Sequence, residues 1–165
     1  MKRRVTVILA AVSAALTATA TSAPASAADG RQDSTAIAAD SVASDAECWR
    51  YEDSWSSNTL AVGCFSKSTD DIYVQDSTWN SVNTYVAWTN EIRSSDGSWG
   101  YFRSGTCVNA HNAPNWGVCY KDFYEHSTVN AHKGRGSRIM LSVCEDNILT
   151  PGSDCTYTGW IYNDR

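Results

Sequence analysis

The chain contains no C-x-x-C pair, no H-E-x-x-H, no G-x-S-x-G and no G-x-x-x-x-G-K-[ST]. These absences remove the signatures of thiol redox centres and dense zinc sites, zinc proteases, serine-hydrolase elbows and phosphate-cradling loops. No run combines helical periodicity with caps, so helices are not expected to build the fold. There is no internal repeat and no second long apolar run after the first twenty residues. Cations are scarce. Lys2, Arg3 and Arg4 lie in a segment without acids, so the net charge of −5 becomes −8 once that segment is set aside. Phosphate-backbone binding needs clustered cations, and nucleic acid is not an expected partner of so acidic a chain.

The start of the chain reads as a targeting segment. Met1-Lys-Arg-Arg4 is a basic n-region, residues 5–20 are an uncharged run rich in Ala, Val, Ile and Leu, and Ala25-Ser-Ala27 is an A-x-A cleavage site. A secreted, extracellular protein of 138 residues is expected, with the signal peptide at 1–27 and no membrane span. Residues 28–47 have no aromatic residue and only two larger aliphatics, Ile37 and Val42. Such a stretch buries too little apolar surface to offset its own ordering, and a flexible N-terminal segment is expected there. Composition changes abruptly at Cys48-Trp49, where a disulfide-stabilised β domain, 48–165, is expected to begin.

All six cysteines (Cys48, Cys64, Cys107, Cys119, Cys144 and Cys155) fall in that domain. An even count in a secreted chain argues for three disulfides rather than metal ligation. Fifteen pairings satisfy the count and the sequence leaves them open; the local pairing 48–64, 107–119 and 144–155 fits the hairpins described next. Strand-like runs occur at 58–66, 71–76, 83–93, 98–104, 106–110, 116–124, 137–145 and 155–162. Asp96-Gly97 between two such runs is a hairpin signal, and a kink is expected at Gly105. Short strands with turn clusters between them predict a single all-β domain. The expected form is a sandwich or barrel of about seven or eight antiparallel strands.

Few residues suggest chemistry. His126 and His132 are six apart, unlike a dense ligand pair, and His111 sits in an Asn/Pro loop. Asp122 and Glu125 have the residue types of a glycoside-hydrolase carboxylate pair, whose function depends on spatial separation. His132-Lys-Gly-Arg-Gly-Ser-Arg138 is the basic cluster of the acidic chain, a solubilising hairpin tip or an anion contact. No catalytic residue, metal ligand or cofactor is assigned. Among the seven tryptophans, Trp88 and Trp160 alternate within strand patterns and are expected in the core. Trp55 and Trp79 lie among Ser, Thr and Asn and are expected at the surface, where an aromatic face can anchor a protein or stack on a sugar. Ser34-Thr-Ala-Ile-Ala-Ala39 is small, nearly uncharged and free of Pro and Gly. Ser34, Thr35, Ala36, Ile37 and Ala38 are therefore expected to add as a strand to a partner's open sheet edge.

Cys107, Trp116-Gly-Val-Cys119, Glu125-His-Ser-Thr-Val129, Cys144, Cys155 and Trp160 resemble a group of small secreted β proteins of Streptomyces and related actinobacteria. One similar class is the adaptor subunit of umbrella-shaped toxin particles. That resemblance implies a disulfide-bonded β domain whose extended N-terminal segment links a lectin subunit to a stalk. Trp49-Arg50-Tyr51 resembles the inhibitory tripeptide of small streptomycete α-amylase inhibitors, though here it directly follows Cys48. The expected function is a non-enzymatic binding or adaptor module with an extracellular protein partner and carbohydrate as a second partner class. An inhibitor of an extracellular hydrolase is the alternative, and a carbohydrate-active hydrolase the third.

Overall fold

The computed structural model describes residues 30–80, 82–145 and 155–164. The expected signal peptide and the Pro151-Gly152 connection lie outside them. Twelve strands occur among the described residues: β1 (Gly30–Arg31), β2 (Ser34–Thr35), β3 (Ile37–Ala39), β4 (Glu47–Glu52), β5 (Thr59–Phe65), β6 (Ile72–Asp76), β7 (Thr84–Ser94), β8 (Trp99–Asn109), β9 (Trp116–Cys119), β10 (Lys133–Glu145), β11 (Cys155–Tyr157) and β12 (Ile161–Asn163). They form two facing sheets. The larger has the order β1-β8-β7-β10-β11, with β2 also on β8 and β12 also on β10; the smaller runs β3-β9-β6-β5-β4.

Alternation builds the core. Along β7 every second residue is buried from Thr84 to Ile92, and β10 alternates in the same way. Val86, Trp88, Leu141 and Val143 of the larger sheet meet Ala61, Phe65, Ile72 and Val74 of the smaller. Phe123, from the chain after β9, packs edge-on against both Trp88 and Phe65, at centroid distances of 5.4 and 5.8 Å. Each such large side chain stabilises the fold by roughly 1.5–3 kcal/mol through burial.

The three disulfides are Cys48–Cys64, Cys107–Cys119 and Cys144–Cys155. Their roles differ. Cys48 and Cys64 are directly opposed on neighbouring β4 and β5, as are Cys144 and Cys155 on β10 and β11. Cys107 lies in the larger sheet and Cys119 in the smaller, so this bond joins the two layers.

Several expectations change. The larger sheet is mixed rather than antiparallel, because β1 and β2 both pair parallel with β8. The expected runs 98–104 and 106–110 are one strand, Trp99–Asn109, without a break at Gly105. That glycine serves a close approach, since a Cβ there would stand 2.0 Å from the Gln32 carbonyl oxygen. The run 116–124 is a strand only to Cys119, after which the chain turns so that Phe123 enters the core. The run 155–162 is two strands, separated where Thr158 Oγ1 accepts the Leu141 amide at 2.9 Å. Trp88 is buried as expected, whereas Trp160 is half-buried against the Arg138 guanidinium, 4.2 Å from its ring. β4 had no counterpart among the expected strands.

The largest difference concerns 28–47, expected to be flexible. From Gly30 onward it lies on the domain. Gln32 and Ala36 donate their amides to Ser104 and Val108 carbonyls at 2.7 and 2.8 Å, and Ile37–Ala39 pairs antiparallel with β9. Ala36 is buried between the sheets, against the position a Cβ of Gly117 would fill. Residues 40–46 then cross the outer face of the smaller sheet to reach β4 at its far edge. There Val42, Ala43 and Ala46 cover Val62, Tyr73 and Val118. The segment has little apolar surface, but it meets two faces that would otherwise be wet.

Candidate functional site

Trp55 and Trp79 stand at one end of the sandwich. Trp55 is in the turn between β4 and β5. Trp79 follows β6, whose last residue Asp76 pairs with Ala61 near the start of β5. The Ser77 amide donates to the Leu60 carbonyl at 3.0 Å, which brings the two loops side by side. Trp55 is 95% exposed and Trp79 78%.

Local chemistry holds both in place. Asp53 accepts Ser56 Oγ at 2.6 Å and the Trp55 amide at 3.1 Å, an Asx arrangement that shapes the turn. Those hydrogen bonds, the one from Ser56 foremost, hold the Asp53 carboxyl below the ordinary range. On the second loop the Thr78 amide donates to Asp76 at 2.9 Å. Asn80 Nδ2 and Thr78 Oγ1 both donate to Glu145, at the end of β10. Glu145 was not a sequence candidate. It lies 65 residues from Asn80, and only the β7–β10 pairing brings the two together.

Beside Trp79 is a cleft of about 300 Å³, walled by Asp76, Thr78, Val82, Asn83 and the 110–113 loop. His111 lines it and places Nε2 3.2 Å from the Ala36 carbonyl oxygen, linking the cleft to the N-terminal segment. The expected strand residues thus sit close to this end, but on the chain's own sheets. Ser34 and Thr35 pair with Cys107 and Val108, and Ile37 and Ala38 with Val118 and Gly117. Lys121 Nζ donates to Ser34 Oγ at 2.7 Å. Strand addition occurs, within the molecule. Ile37 remains 54% exposed on the outer face.

The other sequence candidates are dispersed. Trp49 and Tyr51 turn from β4 toward the core while Arg50 faces solvent, so the Trp-Arg-Tyr tripeptide is not presented as one surface. The Asp122 carbonyl accepts the buried Arg103 guanidinium, which lies over the Phe123 ring at 4.9 Å. His132 packs edge-on to Phe102 at 6.2 Å. The His132–Arg138 run starts at the tip of the tight turn that sets Val129 against Arg135, and most of it is the start of β10. Among the described residues no three His, Cys, Asp or Glu side chains gather as a metal site, and no helix is long and apolar enough to cross a membrane. Comparison with protein-family models, curated proteins and solved structures finds no match to this chain.

Proposed function

We propose that the chain is a secreted, non-enzymatic binding module that acts as an adaptor for an extracellular protein partner. The observation that carries this reading is the pair of tryptophans, nearly bare to solvent, on adjacent loops tied down by their own hydrogen bonds. A large aromatic group left in water is unfavourable unless something covers it. Trp is also the side chain most enriched among residues that dominate binding energy. Turns already fixed before contact lose little conformational entropy on docking. The cleft beside Trp79 gives a partner side chain a place to enter. Three disulfides suit such a scaffold to an oxidising, extracellular setting. The resemblance to umbrella-particle adaptors points the same way.

Affinity capture from culture supernatant tests the reading with wild type, a Trp55→Ala/Trp79→Ala double variant and Ile37→Asp. Both tryptophans are exposed, so the double variant should melt within a few degrees of wild type. It should lose the proteins that wild type retains, while Ile37→Asp keeps them. Equal capture by the double variant would refute recognition at this end. Loss with Ile37→Asp alone would move recognition to the N-terminal segment.

A further inference from the structure

We infer a second binding site, for an acidic sugar of the hexuronate type, at the opposite end of the sandwich from the tryptophan loops. Its floor and walls come from the end of β7, the start of β8, the start of β10 and β12. They enclose a cleft of about 260 Å³ lined by Arg93, Trp99, His126, Arg135, Ser137, Tyr162 and Asn163.

Sequence places the cations there. Gly134 lets β10 press backbone to backbone against β7, because a Cβ would stand 2.0 Å from the Arg93 carbonyl oxygen. Gly136 takes a positive φ of 82°, which a side chain would resist. Arg93 and Arg135 therefore line one cleft. Each guanidinium is oriented by one backbone carbonyl, Gly97 for Arg93 and Ser127 for Arg135. Among the described residues neither has a carboxylate within ion-pairing distance. Asp164 also lines the cleft, and its ion pair is with Lys67, at 3.5 Å. Two guanidiniums beside a histidine, in an acidic chain, are a seat for a carboxylate, which the planar fork binds through paired hydrogen bonds.

The rest of the lining asks for more than an anion. Ser137 and Asn163 form its buried floor, each 1% exposed, with Ser137 Oγ and Asn163 Oδ1 closed to the cleft. The Asn163 orientation is set by its amide nitrogen, which donates to Asp70 at 3.0 Å and to the Phe123 carbonyl at 3.4 Å. Tyr162 and Trp99 add an aromatic wall, packed edge to face at 5.7 Å. The Arg138 guanidinium braces it, 4.8 Å from Trp99, and is held by Glu91 at 2.5 Å. A carboxylate seat beside an aromatic wall fits a sugar acid, whose ring carries an apolar face. Arg93, His126 and Arg135 also border a second depression of about 480 Å³ with Lys133 and Gly97, enough room for a chain to continue.

Titration calorimetry of the purified protein at low ionic strength tests the site with four probes: tetragalacturonate, its methyl ester, sodium sulfate and an oligoglutamate peptide. Tetragalacturonate should bind, and the methyl ester at least tenfold more weakly. Arg93→Ala, Arg135→Ala and Tyr162→Ala should each weaken tetragalacturonate at least fivefold. Arg93→Lys, which keeps the charge and loses the fork, should weaken it measurably. All three positions are solvent-facing, and unchanged melting temperatures would show intact folds. The Trp55→Ala/Trp79→Ala variant should bind tetragalacturonate like wild type, which separates this site from the adaptor reading. No binding of tetragalacturonate, equal affinity for sulfate or oligoglutamate, or indifference to both arginine substitutions would overturn the inference.

Discussion

Asp70 occupies the turn between β5 and β6 at a φ of 62°. Its carboxylate accepts the Phe123 amide at 2.8 Å and Asn163 Nδ2 at 3.0 Å, tying this turn to the post-β9 segment and to β12. Burial raises its pKa to about 6; the two hydrogen bonds oppose that shift, while Asp122 and Glu125 add to it. The folded state therefore holds this proton more tightly than the unfolded chain. The resulting stabilisation is full below about pH 4 and is lost as pH rises through 6. Unfolding free energy in urea should fall by roughly 1–3 kcal/mol between pH 4.5 and 7.5. Asp71 is also raised by burial, so Asp70→Asn should reduce this slope by more than half without abolishing it. Asn tolerates the positive φ, which keeps the comparison clean. An unchanged slope in Asp70→Asn would remove Asp70 as its source.

At the scale of elements, the decisive piece is the N-terminal strap, residues 30–46. It supplies the outermost strands on one side of both sheets and roofs the smaller one. Two glycines make its seat. A Cβ at Gly105 would meet the strap's backbone at 2.0 Å, and one at Gly117 would meet Ala36 Cβ at 2.6 Å. Gly105→Ala should cost about 1–3 kcal/mol through forced displacement, and limited proteolysis should then cut at Arg31, which wild type resists. Removing 30–46 should cost at least about 2 kcal/mol, or roughly 8 °C in Tm for a domain of this size. A truncated protein that melts with wild type would show the strap to be only a passenger.

Across the whole molecule, the disulfides are unequal. Cys107–Cys119 crosses between layers and both sulfurs are buried; Cys48–Cys64 links strands already paired by their backbones. The Cys107→Ala/Cys119→Ala pair should therefore lose more stability, near the upper end of the roughly 2–5 kcal/mol typical of small secreted domains, than Cys48→Ala/Cys64→Ala. Denaturant titration of the two double variants gives the order. The reverse order would mean that backbone pairing and core packing, rather than this bond, hold the layers together. The two proposed sites lie at opposite ends of the molecule, the tryptophans at one and the arginine cleft at the other.

The all-β class, the long strands β7 and β10 and the exposure of Trp55 and Trp79 were legible in the sequence, because each rests on period-two alternation or turn residues, whereas the cysteine pairing was left open and the structure selects the local set. Gly105 was misread because its reason, the Gln32 carbonyl, lies 73 residues away in the chain. The strap was judged by its own composition, which predicts mobility. What orders it is apolar surface belonging to Val62, Tyr73 and Val118 and two unpaired strand edges, none of which exists until the sheets form. Arg93 and Arg135 carry no motif together; they line one cleft only because β7 and β10 pair across the 38 residues of chain between them, 95–132. Local periodicity determined the elements, whereas long-range pairing decided which of them share an edge, a roof or a site.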